Sequence, residues 1–156
     1  MINIEDNILD NLNYSELSES ELKSKFNELK NSTDKNAIFS IVAIVAQLIN
    51  RTYSYNINKE DIQILNNYIN QISTDITSAK AFYPFLIYTI LCDIESKQLH
   101  CLFIDDLIAR KCFDRAALLY NKIGIGAAFN TNININTYIK TRIYSNNIIF
   151  SSHKTK

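Results

Sequence analysis

The sequence predicts an all-α fold: a compact bundle of six to seven helices with a C-terminal extended or hairpin segment. Three observations predict it. Two glycines and one proline among 156 residues leave too little turn chemistry for an all-β fold. Residues 37–49 and 85–94 are apolar around nearly a whole helical circumference, the pattern of helices at the centre of a bundle. Two N-terminal capping signatures of the same grammar stand immediately before apolar periodic segments. With 47% hydrophobic residues the chain can bury a core of its own, and its length suits one helical domain over 1–156.

Along the chain, Ile4, Ile8, Leu9 and Leu12 follow helical spacing and predict a short first helix. In Leu17-Ser18-Glu19-Ser20-Glu21-Leu22, Ser18 is placed to cap a second helix and Glu21, three residues on, to bond back to it. Leu17 and Leu22 stand at the two ends of a hydrophobic staple. Leu22, Phe26 and Leu29 give this helix one narrow buried stripe, so it is peripheral. Ser32, Thr33 and Asp34 offer caps for a third helix running to about Asn50. The start signal recurs at Ile57-Asn58-Lys59-Glu60-Asp61-Ile62, and Ile62, Leu65, Ile69, Ile72 and Ile76 then step along one face. Pro84 belongs in a helix's first turn, or kinks one begun near Ser78. Leu99 to Ile108 and Asp114 to Ile123 are expected to form an αα pair, closed by Gly124 and Gly126.

The tail changes period. From Thr131 to Tyr144 every odd position is Thr or Ile and every even one Asn, Tyr, Lys or Arg. That alternation reads as a half-buried strand, turned at residues 145–147 into a second short strand, Ile148 to Ser151. A helix using Ile135, Ile139 and Ile143 is the competing reading. The tail, 130–156, is expected to pack on the helices or on a partner.

Composition bounds the function. Isoleucine and asparagine together supply 46 of the 156 residues, the bias of an AT-rich coding sequence rather than of a particular fold. The acidic start MINIEDNILDN has no basic n-region or long apolar stretch and is not a signal peptide. The most apolar window, Ala37 to Ile49, is about 13 residues, where a bilayer span takes roughly 20. No membrane association and a cytoplasmic location are expected. Three cysteines, Cys92, Cys101 and Cys112, form no C-x-x-C pair and read as reduced thiols. With histidines only at 100 and 153, ligand spacing for a metal is missing, and no cofactor is expected. A catalytic Cys101 or Cys112 with His100 is not demanded by the spacing. Asp105-Asp106 read as a solvated face before an acid/base pair. Gly124-Ile125-Gly126 lacks the third glycine and preceding strand of a dinucleotide motif.

A net charge of zero conceals asymmetry: residues 1–78 carry net −5 and residues 79–156 net +5. With no reactive constellation in view, the expectation is a non-catalytic protein-binding module, an inhibitor, immunity-type or adaptor protein for one protein partner. Charge would steer the association and tyrosines anchor it. Tyr138, Lys140, Arg142 and Tyr144 are candidate contacts on the basic tail; Glu16, Glu19, Glu21 and Glu28 are the candidates on the acidic half. The alternative is a nucleic-acid-binding protein using the basic C-terminal third, where Arg110, Lys111, Arg115, Lys140 and Arg142 interleave with Tyr120, Tyr138 and Tyr144. A homodimer through the Ile-rich face of residues 62–76 stays open.

One stretch carries a resemblance. Ala109 to Ile123 resembles the turn and second helix of a tetratricopeptide repeat, with Phe113, Ala116, Tyr120 and Ile123 on that repeat's aromatic, small, aromatic and apolar spacing. The resemblance covers about a tenth of the chain and implies an antiparallel αα-hairpin rather than a repeat array.

Overall fold

Residues 3–70, 79–130 and 147–152 are described by a computed structural model of the chain. Their order is α1 (Ile8–Asn11), α2 (Glu19–Lys30), α3 (Ala37–Tyr53), α4 (Lys59–Ile69), α5 (Ala79–Ile94), β1 (Leu99–Phe103), α6 (Asp106–Ile123), β2 (Ala127–Phe129) and β3 (Ile148–Ser152). The chain divides into two compact units, Met1–Leu91 and Cys92–Lys156.

In the first unit both predicted capping boxes form. The Glu21 N–H donates to Ser18 Oγ at 3.1 Å and the Ser18 N–H to Glu21 Oε1 at 3.1 Å. Asn58 and Asp61 repeat the exchange at 3.0 and 3.1 Å. Each box satisfies two backbone groups near a helix start. The third helix differs in detail. Its N-cap is Asn36, which makes no side-chain cap bond. Ser32 and Asp34 instead hold the preceding turn, accepting from the N–H groups of Asp34 and Asn36 at 3.1 and 2.9 Å. From there α3 is apolar almost all round: Ile41 to Ala46, Leu48 and Ile49 are all buried. α2 packs on it through Leu22 and Phe26.

α5 contains Pro84 in its interior, so the helix does begin well before the proline. Its rings meet those of the neighbouring helices. Tyr83 lies 5.4 Å from Tyr53 of α3, and Tyr88 stacks on Tyr68 of α4 at 5.4 Å. Such pairs contribute about 0.5–1.5 kcal/mol beyond their buried area.

The second unit overturns two expectations. Residues 99–103 are a strand, not the start of a helix through Ile108. Cys101 and Phe103 are buried while His100 and Leu102 are exposed, a period of two rather than 3.6. Asp105, whose carboxylate accepts from the Ile108 N–H at 2.8 Å, then starts α6 afresh. The αα-hairpin implied by the tetratricopeptide resemblance is therefore absent. Its second helix is present, with Ala116, Tyr120 and Ile123 buried, but a strand stands in place of the first.

Ile148–Ser152 is a strand as expected, yet it is no hairpin arm. It is the centre of a three-stranded parallel sheet of order β1-β3-β2, in register Leu99↔Ile148 on one side and Ala127↔Ile148 on the other. All five of its residues are buried, as befits the inner strand of a parallel sheet. The fold is thus mostly helical with a small parallel sheet, not all-α. The expected strand over 131–144 lies outside the described residues, as do Ile72 and Ile76.

Three helix ends use a left-handed residue. Gly124 (φ 70) closes α6, with the Ile125 N–H reaching the Tyr120 carbonyl at 3.0 Å. Ser54 (φ 55) and Ser96 (φ 57) take the same role after α3 and α5 with a Cβ present. A left-handed non-glycine residue costs about 1–2 kcal/mol, part of which glycine's extra chain entropy returns. Ser54→Gly and Ser96→Gly are expected to raise the free energy of unfolding by about 0.5–1 kcal/mol each, whereas Ser18→Ala lowers it by about 1 kcal/mol. Urea titration of the three variants checks both signs.

Candidate functional site

The largest exposed apolar side chains among the described residues all belong to β1, α6 and the turn between them. Leu102 is 49% exposed, Ile104 62%, Leu107 64% and Leu118 55%. Secondary structure puts them outside. In β1, Cys101 and Phe103 take the buried face, which sends Leu102 to the other. In α6, Ala109, Ala116, Leu119, Tyr120 and Ile123 form the inward stripe. Phe113, half-buried, adds ring contacts to Phe150 of β3 at 5.6 Å and Phe129 of β2 at 5.9 Å. That orientation leaves Leu107, Lys111, Asp114 and Leu118 facing outward at intervals of four, three and four. Eleven residues of helix separate the two leucines by about 16 Å.

Cations border this stripe. Arg110 bonds Asp114 through Nε at 3.1 Å and lies over the Phe129 ring at 5.5 Å. Lys111 lies within the stripe, and Arg115 is exposed on its other side. β1 is also a sheet edge, pairing with β3 alone among the described strands. An exposed edge with apolar residues is a ready interaction surface.

The polar residues nearby are tied into structure. Asp105 caps α6, and Asp106 accepts a short hydrogen bond from the Ser152 hydroxyl. His100 is exposed, 3.3 Å from Gln98 Oε1, and strand alternation puts it on the face opposite buried Cys101. Burial drives the Cys101 thiol far above its ordinary range. Burial raises Cys112 as well, against a smaller opposing pull from Arg115. Both shifts favour the neutral thiol, whereas nucleophilic attack needs the thiolate. Among the described residues no three His, Cys, Asp or Glu side chains come close enough to hold a metal. No described helix is long and apolar enough to cross a membrane.

The residues singled out from sequence fare unequally. Tyr138, Lys140, Arg142 and Tyr144 lie outside the described residues. Glu16, Glu21 and Glu28 are exposed on or beside α2, but Glu21 is occupied by its capping box, whose bonds hold its carboxyl below the usual range. Glu19 sits 3.6 Å from Lys23. Tyr120, a candidate base-stacking ring, is 1% exposed. The exposed leucines were missed because leucine in an apolar run counts as core by default. The signal was present in the alternation around Leu102 and in the spacing that sets Leu107 and Leu118 opposite Ala109 and Ala116.

No protein-family model matches the chain, and no curated protein sequence is similar to it.

In the first unit Tyr55 is held in a structural role. The Tyr55 hydroxyl donates to both oxygens of buried Asp61, at 2.9 and 3.1 Å, and its ring stacks on Tyr83 at 4.1 Å. Desolvation, then the Asp61 carboxylate, push Tyr55 up to about 12. A phenol whose pKa is raised on folding contributes fully below its unfolded value near 10 and loses that contribution as pH rises through about 12. Ultraviolet titration is expected to show Tyr55 ionising late, and Tyr55→Phe to remove that step while costing about 1–3 kcal/mol. Native protein at neutral pH should leave Cys101 unmodified by a thiol reagent that labels the unfolded chain.

Proposed function

We propose that this protein is a non-catalytic binding module of the inhibitor, immunity or adaptor kind, docking one protein partner on the outward face of α6. The observation that carries the reading is the exposure of Leu107 and Leu118, 64% and 55% open to solvent on the outward stripe of α6. Large apolar groups exposed along one helix face mark interaction sites. A leucine is a desolvating anchor, and the rim of Arg110, Lys111 and Arg115 supplies orientation and a faster encounter with an acidic partner. The raised thiols and the structural use of Asp105 and Asp106 support a role in recognition over one in chemistry.

The nucleic-acid reading draws on the same cations. It is the weaker of the two, because Arg110 is engaged by Asp114 and Tyr120 is buried away from any base.

The test is reconstitution of a stoichiometric complex from purified components after affinity capture from source cells. Leu107→Asp with Leu118→Asp is expected to weaken the complex by at least about 100-fold. The melting temperature should stay nearly unchanged, since exposed substitutions move stability by only about ±0.5 kcal/mol. Oligonucleotide binding with a steep salt dependence and no protein complex would refute the proposal.

A further inference from the structure

A second surface, in the unit Met1–Leu91, is built from different chemistry. The segment from Asn3 to Asn7 lies along α4, and between them opens a cleft of about 700 Å3. That volume falls in the roughly 300–1,000 Å3 range of ligand sites. Six carboxamides line it: Asn3, Asn7, Gln63, Asn66, Asn67 and Asn70. Gln63, Asn66 and Asn67 of α4 and Asn70, its C-cap, share one helix face.

A carboxamide presents a donor and an acceptor side by side, the complement of a peptide group. Asn66 already uses it so. The Ile4 N–H donates to Asn66 Oδ1 at 2.9 Å, and Asn66 Nδ2 donates to the Ile4 carbonyl at 2.8 Å. Beside it, Asn70 Oδ1 is buried with no hydrogen-bond partner among the described residues. A buried acceptor left without a donor is unfavourable and calls for a reason.

The lining narrows the ligand. Among the described residues it holds no aromatic ring on which a base or sugar could stack. Glu5 and Asp6 outnumber Lys59, which disfavours anions. The one apolar residue among the described lining, Ile4, is 1% exposed and already packed. What remains is a neutral chain of alternating donors and acceptors. We propose that this cleft binds an extended peptide segment through its main chain, with the Asn66–Ile4 pair as the pattern that Gln63, Asn67 and Asn70 extend. Rotation about the Asn70 Cβ–Cγ bond would turn its unpaired oxygen to an incoming N–H.

The probe is the capped peptide acetyl-Ser-Ala-Ser-Ala-Ser-amide, titrated at millimolar concentration into 15N-labelled full-length protein. The expected result is a saturable shift confined to the side-chain NH2 signals of Gln63, Asn66, Asn67 and Asn70. Asn70→Ala should weaken it at least about fivefold without lowering the melting temperature, because Oδ1 loses no bond. Should that variant fail to fold, exposed Gln63→Ala is expected to give a comparable loss. No saturable shift, shifts scattered over the surface, or shifts unaltered in the folded variants overturn the proposal. So does a response to maltotriose in place of the peptide, which would assign the cleft to hydroxyl ligands.

Discussion

A chain with two glycines and one proline must still start, stop and turn its helices, and every buried end leaves backbone groups to satisfy. Here short polar side chains meet that constraint. Ser18 and Asn58 close capping boxes, Asp105 opens α6, and Ser32 with Asp34 shapes the approach to α3. Ser54 and Ser96 stand where glycine is usual. Asn66 goes further, pairing with the main chain of Ile4 sixty-two residues away. The abundance of asparagine, whatever its origin in base composition, is thus put to structural use: a carboxamide substitutes for the peptide group that a tighter turn would have supplied.

This local grammar explains which parts of the fold were legible. α2 and α4 announced themselves because their caps and stripes lie within a few residues of one another. α3 was legible from its all-round apolarity, which only a central helix tolerates. β1 was not. Five residues containing Leu, Cys, Leu and Phe satisfy a helix or a strand template equally well. What decides between them is Ile148–Ser152, some fifty residues distant and invisible to any local window. The parallel pairing was hidden for the same reason. Proximity of Ile148 to the alternating tail suggested a hairpin, whereas its partners are Leu99 and Ala127.

The surface was legible only in outline. The basic second half of the chain includes α6, yet its exposed Leu107 and Leu118 emerged only once the inward stripe of Ala109, Ala116 and Tyr120 fixed the helix's rotation. Acidic residues singled out from sequence serve the backbone. Glu21 and Asp105 hold helix starts, and Asp106 holds the end of β3. A carboxylate beside a helix N-terminus serves backbone satisfaction first, and pattern alone does not separate that duty from recognition.

The strand order has a consequence for synthesis. The inner strand of the sheet comes last in the sequence, so neither β1 nor β2 finds its neighbour until residue 152 has been made. On the ribosome, the first 91 residues can condense while the remainder is still being translated. The second unit must wait with both outer strands unzipped, leaving Leu102 and its neighbours open to a chaperone throughout that interval.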